Sequence, residues 1–245
     1  MTALPKDVFL KQEIVLHESH FDCNGQIKFN CLMEFMQNLA TEHAEIINLG
    51  WNAMDEQGIV WVLAKVKFVL HKPMDRGVGN FTLYTWPVQP NRFFAERRFV
   101  AVKDGQELMS ASTIWMIIDK QQRKALPSNV LQQLFANNFD TAPISIDSTF
   151  ARIRPDDTFG PVYQQQIKRS QLDRNGHVNN TNYVTYAVDV LDKNVQLRGA
   201  EIVYHKECLF GDDLQIVAKT EGNQTQVCGL LPSGECCFTA LLLHN

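Results

Sequence analysis

The chain has 245 residues, of which 45% are hydrophobic and 20% are charged, as in one large globular domain or two small ones. This composition excludes intrinsic disorder as the main state, and no apolar run approaches the roughly 18 residues that a membrane-spanning helix needs. The formal net charge of −4 argues against general nucleic-acid binding.

The six cysteines point to a reducing compartment. They form no C-x-x-C pair, and a chain of this length needs no disulfides to be stable. No His or Cys residues have the spacing of a metal site, so we expect neither a metal nor another cofactor. The first residues lack the basic and apolar segments of a secretion signal, which favours a cytoplasmic location.

The first half of the chain predicts a strand, a long helix and four further strands. The first strand lies near residues 9–16. Apolar residues from Leu32 to Ala44 recur at the spacing of one buried helix face, and Gly50 is a plausible end of that helix. Segments rich in Val, Ile, Phe, Thr and Trp, separated by turn signals, predict the four strands at 59–70, 80–88, 93–102 and 108–118.

The second half repeats this order after a polar, Pro-containing linker at 119–158, in which a short helix is predicted at 128–134. A strand is expected near 163–168. A helix with an apolar stripe from Tyr183 to Leu191 follows, with Asn179 or Asn180 as its cap. Strands are predicted at 196–206, 213–220, 224–231 and 235–243.

Two pairs of short matches support an internal duplication. Residues 21–27 resemble residues 172–178, with Asp, Asn and Gly at the same positions, and residues 70–77 resemble 204–211, with His-Lys and a later Gly in common. Both pairs occur in the same order around the predicted helix. One long helix and a run of antiparallel strands in each half predict an α+β fold in which a curved sheet wraps a helix.

The titratable groups differ between the copies. His177 in the second half corresponds to Gln26 in the first, and Glu207 and Cys208 correspond to Pro73 and Met74. The second copy is therefore predicted to be the active one. Its polar residues precede a helix start, where backbone N–H groups favour a developing oxyanion and an imidazole can exchange protons near neutral pH.

The second motif leaves two mechanisms open. In one, Cys208 is a nucleophile, His177 its base and Asn175 the residue that orients the imidazole. In the other, Glu207 or Asp173 acts with His177 to activate water, and Cys208 is an inert buried neighbour. If this stretch is a regular strand, adjacent residues point to opposite faces and only one of Glu207 and Cys208 should face the site. We favour Glu207, acting with Asp173 and His177.

These motifs resemble those of the fatty acyl-ACP thioesterases. Residues 173–180 resemble the D-x-N-x-H-V-N-N motif of that family, and residues 204–208 resemble its Y-x-x-E-C motif. The tryptophan strands around Trp61 and Trp115 are similar too, so the resemblance covers nearly the whole chain. It implies two tandem hot-dog domains, placed here at 1–140 and 141–245. It also implies hydrolysis of fatty acyl-ACP to free fatty acid and ACP, the step that ends fatty acid synthesis.

The resemblance further implies a division of labour. The catalytic groups would be in the second domain, and the first would shape the acyl pocket. The expected catalytic residues are Asp173, Asn175, His177, Glu207 and Cys208. The expected pocket residues, whose size should set chain-length preference, are Leu32, Phe35, Met36, Leu39 and Trp61. A bacterial cytoplasmic protein is the simpler interpretation, and a homodimer is compatible with it.

The partner implied is acidic ACP, which calls for a basic docking surface near His177. The candidate docking residues are Arg92, Arg97, Arg98, Lys168, Arg169, Arg174, Arg198 and Lys206. Three other functions stay open at this point: an acyl-CoA thioesterase, an acyl- or ACP-binding protein without turnover, and a hot-dog dehydratase. The order of Asp, Asn and His in the first motif argues against the dehydratase.

Overall fold

The computed structural model describes residues 9–88, 90, 93–127 and 147–245. These residues form ten strands and three α-helices, none of which has the length and apolar character to cross a membrane. The helix predicted at 128–134, the domain boundary at 140 and the candidate docking residue Arg92 lie outside the described residues.

The first half follows the predicted order and adds one element. Its elements are β1 (Leu10–Val15), α1 (Phe29–Ile46), α2 (Trp51–Glu56), β2 (Ile59–Leu70), β3 (Asn80–Pro87), β4 (Ala95–Lys103) and β5 (Gln106–Asp119). The additional element is α2, a helix of 6 residues that begins directly after Gly50. A helix this short is too brief for a periodic apolar pattern, so it was not predicted.

The second half repeats the pattern with a shorter helix. Its elements are β6 (Gly160–Gln166), α3 (Asn180–Val188), β7 (Leu197–Tyr204), β8 (Asp213–Glu221), β9 (Gln224–Leu230) and β10 (Cys236–His244). The predicted cap is confirmed, because the Asn179 side chain accepts a hydrogen bond from the N–H of Thr181 at 3.0 Å. This helix ends at Val188, before the end of the apolar stripe at Leu191.

The ten strands form one antiparallel sheet in the order β1-β3-β4-β5-β2-β7-β10-β9-β8-β6. Read outward from the centre, both halves have the same strand order. They join at β2 and β7, whose register runs from Lys65 opposite Val203 to Val69 opposite Gly199. A buried ion pair between Lys67 Nζ and Glu201 Oε1, 2.9 Å apart, also crosses this junction.

One hydrophobic core runs through both halves. Leu32, Met36 and Leu39 of α1 are at most 1% exposed and belong to the same cluster as Tyr183 and Val184 of α3. The two helices also contact each other directly. The ends of the helices and of the central strands are therefore held in a fixed relation to one another, and the candidate site lies in this region.

Candidate active site

A tight loop precedes α1, and one carboxylate shapes it. Asp22 Oδ1 accepts hydrogen bonds from the backbone N–H groups of Asn24 at 2.8 Å and Gln26 at 2.9 Å. The Asp22 N–H in turn donates to the Gln26 carbonyl at 2.8 Å. Gly25 has a φ of +74°, in the left-handed region that glycine adopts without strain.

The loop before α3 has the same geometry. Asp173 Oδ1 accepts from the N–H groups of Asn175 at 2.8 Å and His177 at 3.1 Å, and Gly176 has a φ of +81°. The sequence repeat is thus a repeated loop in space. Because Asp22 builds the same loop without a histidine, this geometry gives the Asp173 carboxylate a structural task, which is to fix the backbone that carries His177.

The segment after β7 lies against this loop. His177 forms an antiparallel bridge with Leu209, and the Val178 N–H donates to the Cys208 carbonyl at 3.0 Å. This pairing brings the two motifs together. The imidazole Nε2 of His177 lies 3.3 Å from Oε2 of Glu207, and both side chains are partly exposed, at 31% and 46%.

Glu207 and Cys208 lie in different environments, although β7 ends at Tyr204 and neither residue belongs to a strand. Glu207 lines a cavity together with His177, Asp173 and Asn175. Cys208 is 0% exposed and lies in the core, where its N–H donates to Tyr183 Oη at 3.2 Å. A hydrogen bond with the Cys237 thiol lowers the pKa of Cys208, but the cavity lining does not include Cys208. The cysteine mechanism therefore lacks access to substrate in this arrangement.

A residue from the first half completes the cluster. Arg123 follows β5, and its Nη2 lies 3.4 Å from Oε2 of Glu207. Sequence reasoning missed this contact because the two residues belong to different halves and meet only through the β2–β7 junction. Arg123 also has a φ of +52°, an unusual backbone conformation for a residue other than glycine.

The cavity has a volume of about 1020 Å³, and residues of both halves line it. From α1 it is lined by Gln37, Ala40, Thr41 and Ala44. The strands β2, β4 and β5 contribute Leu63, Ala95 and Trp115, among others. A cavity of this size with a largely apolar wall can accommodate a long acyl chain.

The predicted pocket residues fall into two groups. Trp61 lines the cavity and donates from Nε1 to the Leu49 carbonyl at 3.0 Å. Leu32, Met36 and Leu39 fill the core, and the cavity lining does not include them. Phe35 packs edge-on against the His20 ring, with a centroid distance of 5.2 Å, and is likewise not part of the lining.

Several cations line the same cavity as His177. The guanidinium of Arg174 stacks 3.7 Å from the centre of the Trp51 ring, and the Lys120 ammonium is 4.7 Å from the same ring. Lys206 and Arg123 line the cavity as well. Among the predicted docking residues, Arg174, Lys206 and Arg97 line it, whereas Arg98, Lys168, Arg169 and Arg198 do not.

Solved structures with the same architecture define the fold class. An acyl-ACP thioesterase from Bacteroides thetaiotaomicron superimposes with a TM-score of 0.85 at 24% identity, over 97% of this chain and 98% of that one. The 12:0-ACP thioesterase from Umbellularia californica gives a TM-score of 0.82 at 16% identity, over 97% of each chain. The predicted fold of two tandem hot-dog domains, each a helix wrapped by an antiparallel sheet, is confirmed.

The sequence also matches the family models for the N-terminal domain of acyl-ACP thioesterases at residues 7–137 and the C-terminal domain at 160–231. The chain belongs to the acyl-ACP thioesterase family. A chloroplastic acyl-(acyl-carrier-protein) hydrolase of Cuphea viscosissima is 21% identical over 214 residues, covering 81% of this chain and 52% of the relative. A chloroplastic palmitoyl-acyl carrier protein thioesterase of Arabidopsis thaliana is 20% identical over 229 residues, covering 86% and 55%. This chain spans about half the length of these relatives.

Proposed function

We propose that this protein hydrolyses the thioester of fatty acyl-ACP to free fatty acid and ACP, the step that ends fatty acid synthesis. The observation that carries the proposal is the 3.3 Å contact between His177 Nε2 and Glu207 Oε2 at the rim of a cavity of about 1020 Å³. Family membership adds the substrate class. A proton-transfer pair beside an apolar cavity is what hydrolysis of a long-chain thioester requires.

In the proposed reaction, Glu207 takes a proton from a water molecule as the water oxygen forms a bond to the carbonyl carbon. The imidazole of His177 contacts the same carboxylate and holds it in place. As the C–S bond breaks, the proton that Glu207 took from water passes through His177 to the leaving sulfur, which yields the free acid and the ACP thiol and returns both side chains to their starting state. Such acid–base assistance typically contributes about 10²–10⁴-fold in rate.

The start of α3 offers a site for the oxyanion that develops on the carbonyl. The N–H groups of Val178, Asn179, Thr181 and Asn182 are all taken by acceptors within the protein. The N–H of Asn180, which lines the cavity, has no acceptor among the described residues. We assign it to the oxyanion, together with the side-chain amide of Asn175, which also lines the cavity.

Two of the five expected catalytic residues receive indirect roles in this proposal. Asp173 is a positioning residue, because its Oδ1 is already engaged by two backbone N–H groups. Cys208 supports the core below Glu207. We assign the first domain, 1–140, to the acyl pocket and the second, 141–245, to the catalytic groups. Arg123 is the first domain's contribution to the catalytic cluster.

We propose that four cations of the cavity lining receive acidic ACP. Arg123, Arg174, Lys120 and Lys206 all line the cavity that His177 lines. Opposite charges on two partners raise their association rate, and this effect weakens with salt. A bacterial cytoplasmic location and a homodimeric state remain part of this proposal.

The test is a direct assay on a panel of acyl-ACPs and the matching acyl-CoAs, with free acid and free thiol both quantified. The expected result is hydrolysis with a preference for ACP, abolished in His177→Ala. Glu221→Gln serves as the control, because this exposed carboxylate of the same half pairs with Lys219 and neither residue lines the cavity. Higher rates on CoA would favour the acyl-CoA thioesterase. A stable complex without product would favour the binding protein.

A further inference from the structure

A buried cation lines the cavity far from the catalytic cluster. Arg97 lies on β4 and is only 9% exposed, with its side chain on the same face as the buried Ala95 and Phe99. It is also part of the cavity wall. A guanidinium in the wall of an apolar acyl pocket calls for a physical explanation, because arginine is almost never buried unless it is paired.

Among the described residues, hydrogen-bonding partners engage only some of the N–H groups of this guanidinium. Arg97 Nη1 lies 2.9 Å from Nδ1 of His43 and donates to Thr85 Oγ1 at 3.3 Å. An arginine side chain has five N–H donors in all. Within the described ranges, no carboxylate lies at ion-pair distance from Arg97. The adjacent Glu96 is engaged by Arg98 Nε at 2.8 Å and by Ser112 Oγ at 2.9 Å.

The charge is present at neutral pH. Burial lowers the pKa of Arg97 to about 10, which still leaves the side chain protonated. A buried charge without a counter-charge is unfavourable unless polar groups compensate it. The partners among the described residues leave some of the Arg97 N–H donors free, and Arg97 lines the cavity, so a ligand in the cavity could supply a further acceptor.

The order of the strands in the sheet indicates which part of a substrate would lie near Arg97. The catalytic cluster follows β7, and the strand order from there is β7-β2-β5-β4. Three strand spacings separate β7 from β4, or roughly 14 Å. An acyl chain whose thioester lies at His177 would reach Arg97 only with its distal part. Leu63 and Trp115 are among the apolar residues of the same lining.

We propose that Arg97 forms a second recognition site, which binds an acceptor oxygen, a hydroxyl or a carboxylate, on the distal part of the acyl chain. This inference rests on the proposed function and deepens it, because it names a substrate class: acyl-ACP whose chain is oxygenated toward its far end. An unsubstituted acyl chain in the same position would leave the remaining Arg97 N–H donors without partners. A site built to bind a polar group discriminates in this way against a ligand that lacks the group.

The experiment compares kcat/KM for ω-hydroxyacyl-, ω-carboxyacyl- and unsubstituted acyl-ACPs over a series of matched chain lengths. In the unmodified protein, one oxygenated series should exceed the unsubstituted one by at least about tenfold at its best length, the size of one hydrogen bond to a charged group. Comparison of the ω-hydroxyacyl and ω-carboxyacyl series shows whether the site prefers a hydroxyl or a carboxylate. Equal rates or a preference for unsubstituted chains at every length would overturn the inference.

The variants locate the effect. Arg97→Met should remove the preference for the oxygenated chain, and Arg97→Lys should keep part of it. The matched control is Arg154→Met, which removes an exposed arginine that does not line the cavity, and it should keep the preference in full. Retention of the preference in Arg97→Met would also overturn the inference.

A binding measurement separates this inference from the proposed function. If no acyl-ACP were hydrolysed, the proposed function would fail. Calorimetric titration with the methyl esters of ω-hydroxy, ω-carboxy and unsubstituted fatty acids, which carry no carboxylate at the thioester end, would still show whether Arg97 selects the oxygenated chain. Tighter binding of an oxygenated ester, lost in Arg97→Met, would support the site. Equal affinities would refute it, and thermal denaturation checks that the variant is folded.

Discussion

The contrast between Glu207 and Cys208 gives a two-way prediction about neighbouring residues. Cys208→Ala should lower stability and leave activity largely intact, because the thiol is 0% exposed and outside the cavity lining. Glu207→Gln should lower activity and leave stability largely intact. Its side chain is 46% exposed and borders the cavity, so the amide removes the proton acceptor while its shape stays the same.

The magnitudes follow from the two environments. Removing one buried sulfur atom leaves a small cavity among Tyr183 and Cys237, and we expect a loss of about 1–2 kcal/mol in unfolding free energy. For a chain of this size that corresponds to a fall in Tm of roughly 2–8 °C. The exposed contacts of Glu207 with Arg123 and His177 contribute about 0–1 kcal/mol, whereas its loss should reduce kcat by about 10²–10⁴-fold.

Thermal denaturation and acyl-ACP hydrolysis measured on the same preparations would check both halves of this prediction. Glu221→Gln is the control for an exposed carboxylate of the same domain, and both its Tm and kcat should stay close to those of the unmodified protein. A Cys208→Ala variant that is fully folded but inactive, together with an active Glu207→Gln variant, would refute the reasoning and restore the cysteine mechanism.

Three further predictions rest on matched positions. Asp22→Ala and Asp173→Ala should each cost about 1–2 kcal/mol in unfolding free energy, because both carboxylates hold two backbone N–H groups, but only Asp173→Ala should lower kcat. Gly199→Ala should destabilise the fold by about 2–4 kcal/mol in denaturant unfolding, because a Cβ would lie 2.7 Å from a carbonyl oxygen of β2; Gly160→Ala, with nothing within 4 Å, should not. Burial lowers the pKa of His205, so the unfolded chain binds the proton first and stability falls as pH drops below about 6.5; His205→Gln should flatten that part of a stability–pH curve.

The elements of the fold could be predicted because each half carries long, regular patterns. The strand predicted at 59–70 coincides with β2, and the apolar stripe from Leu32 to Ala44 lies within α1. Short elements such as α2 were not predicted. The register between β2 and β7 has no local signature, since it arises only when two segments more than a hundred positions apart pair across the middle of the sheet.

The candidate site could be predicted where it depends on one half alone. The pairing of His177 with Glu207 followed from two motifs in the second half. Arg123 and the contact of Arg174 with Trp51 did not, because each joins residues from both halves.

The cavity wall on α1 shows a different limit of sequence reasoning. Hydrophobic periodicity marks the face of the helix that is buried, which here is the face carrying Leu32 and Leu39. It cannot separate side chains that fill the core from those that border an empty volume. The smaller residues Ala40, Thr41 and Ala44 line the cavity instead, and their size leaves the space open.

The continuous sheet has a consequence for how such a molecule can change. Because β2 and β7 are interior neighbours, the wall that would measure an acyl chain and the loop that would cleave it share one hydrogen-bonded frame. A substitution that alters the twist of the sheet between β2 and β7 would shift the cavity and the His177–Glu207 pair together. A preference for a different acyl-chain length is therefore more easily acquired by changing side chains that line the cavity than by moving the strands.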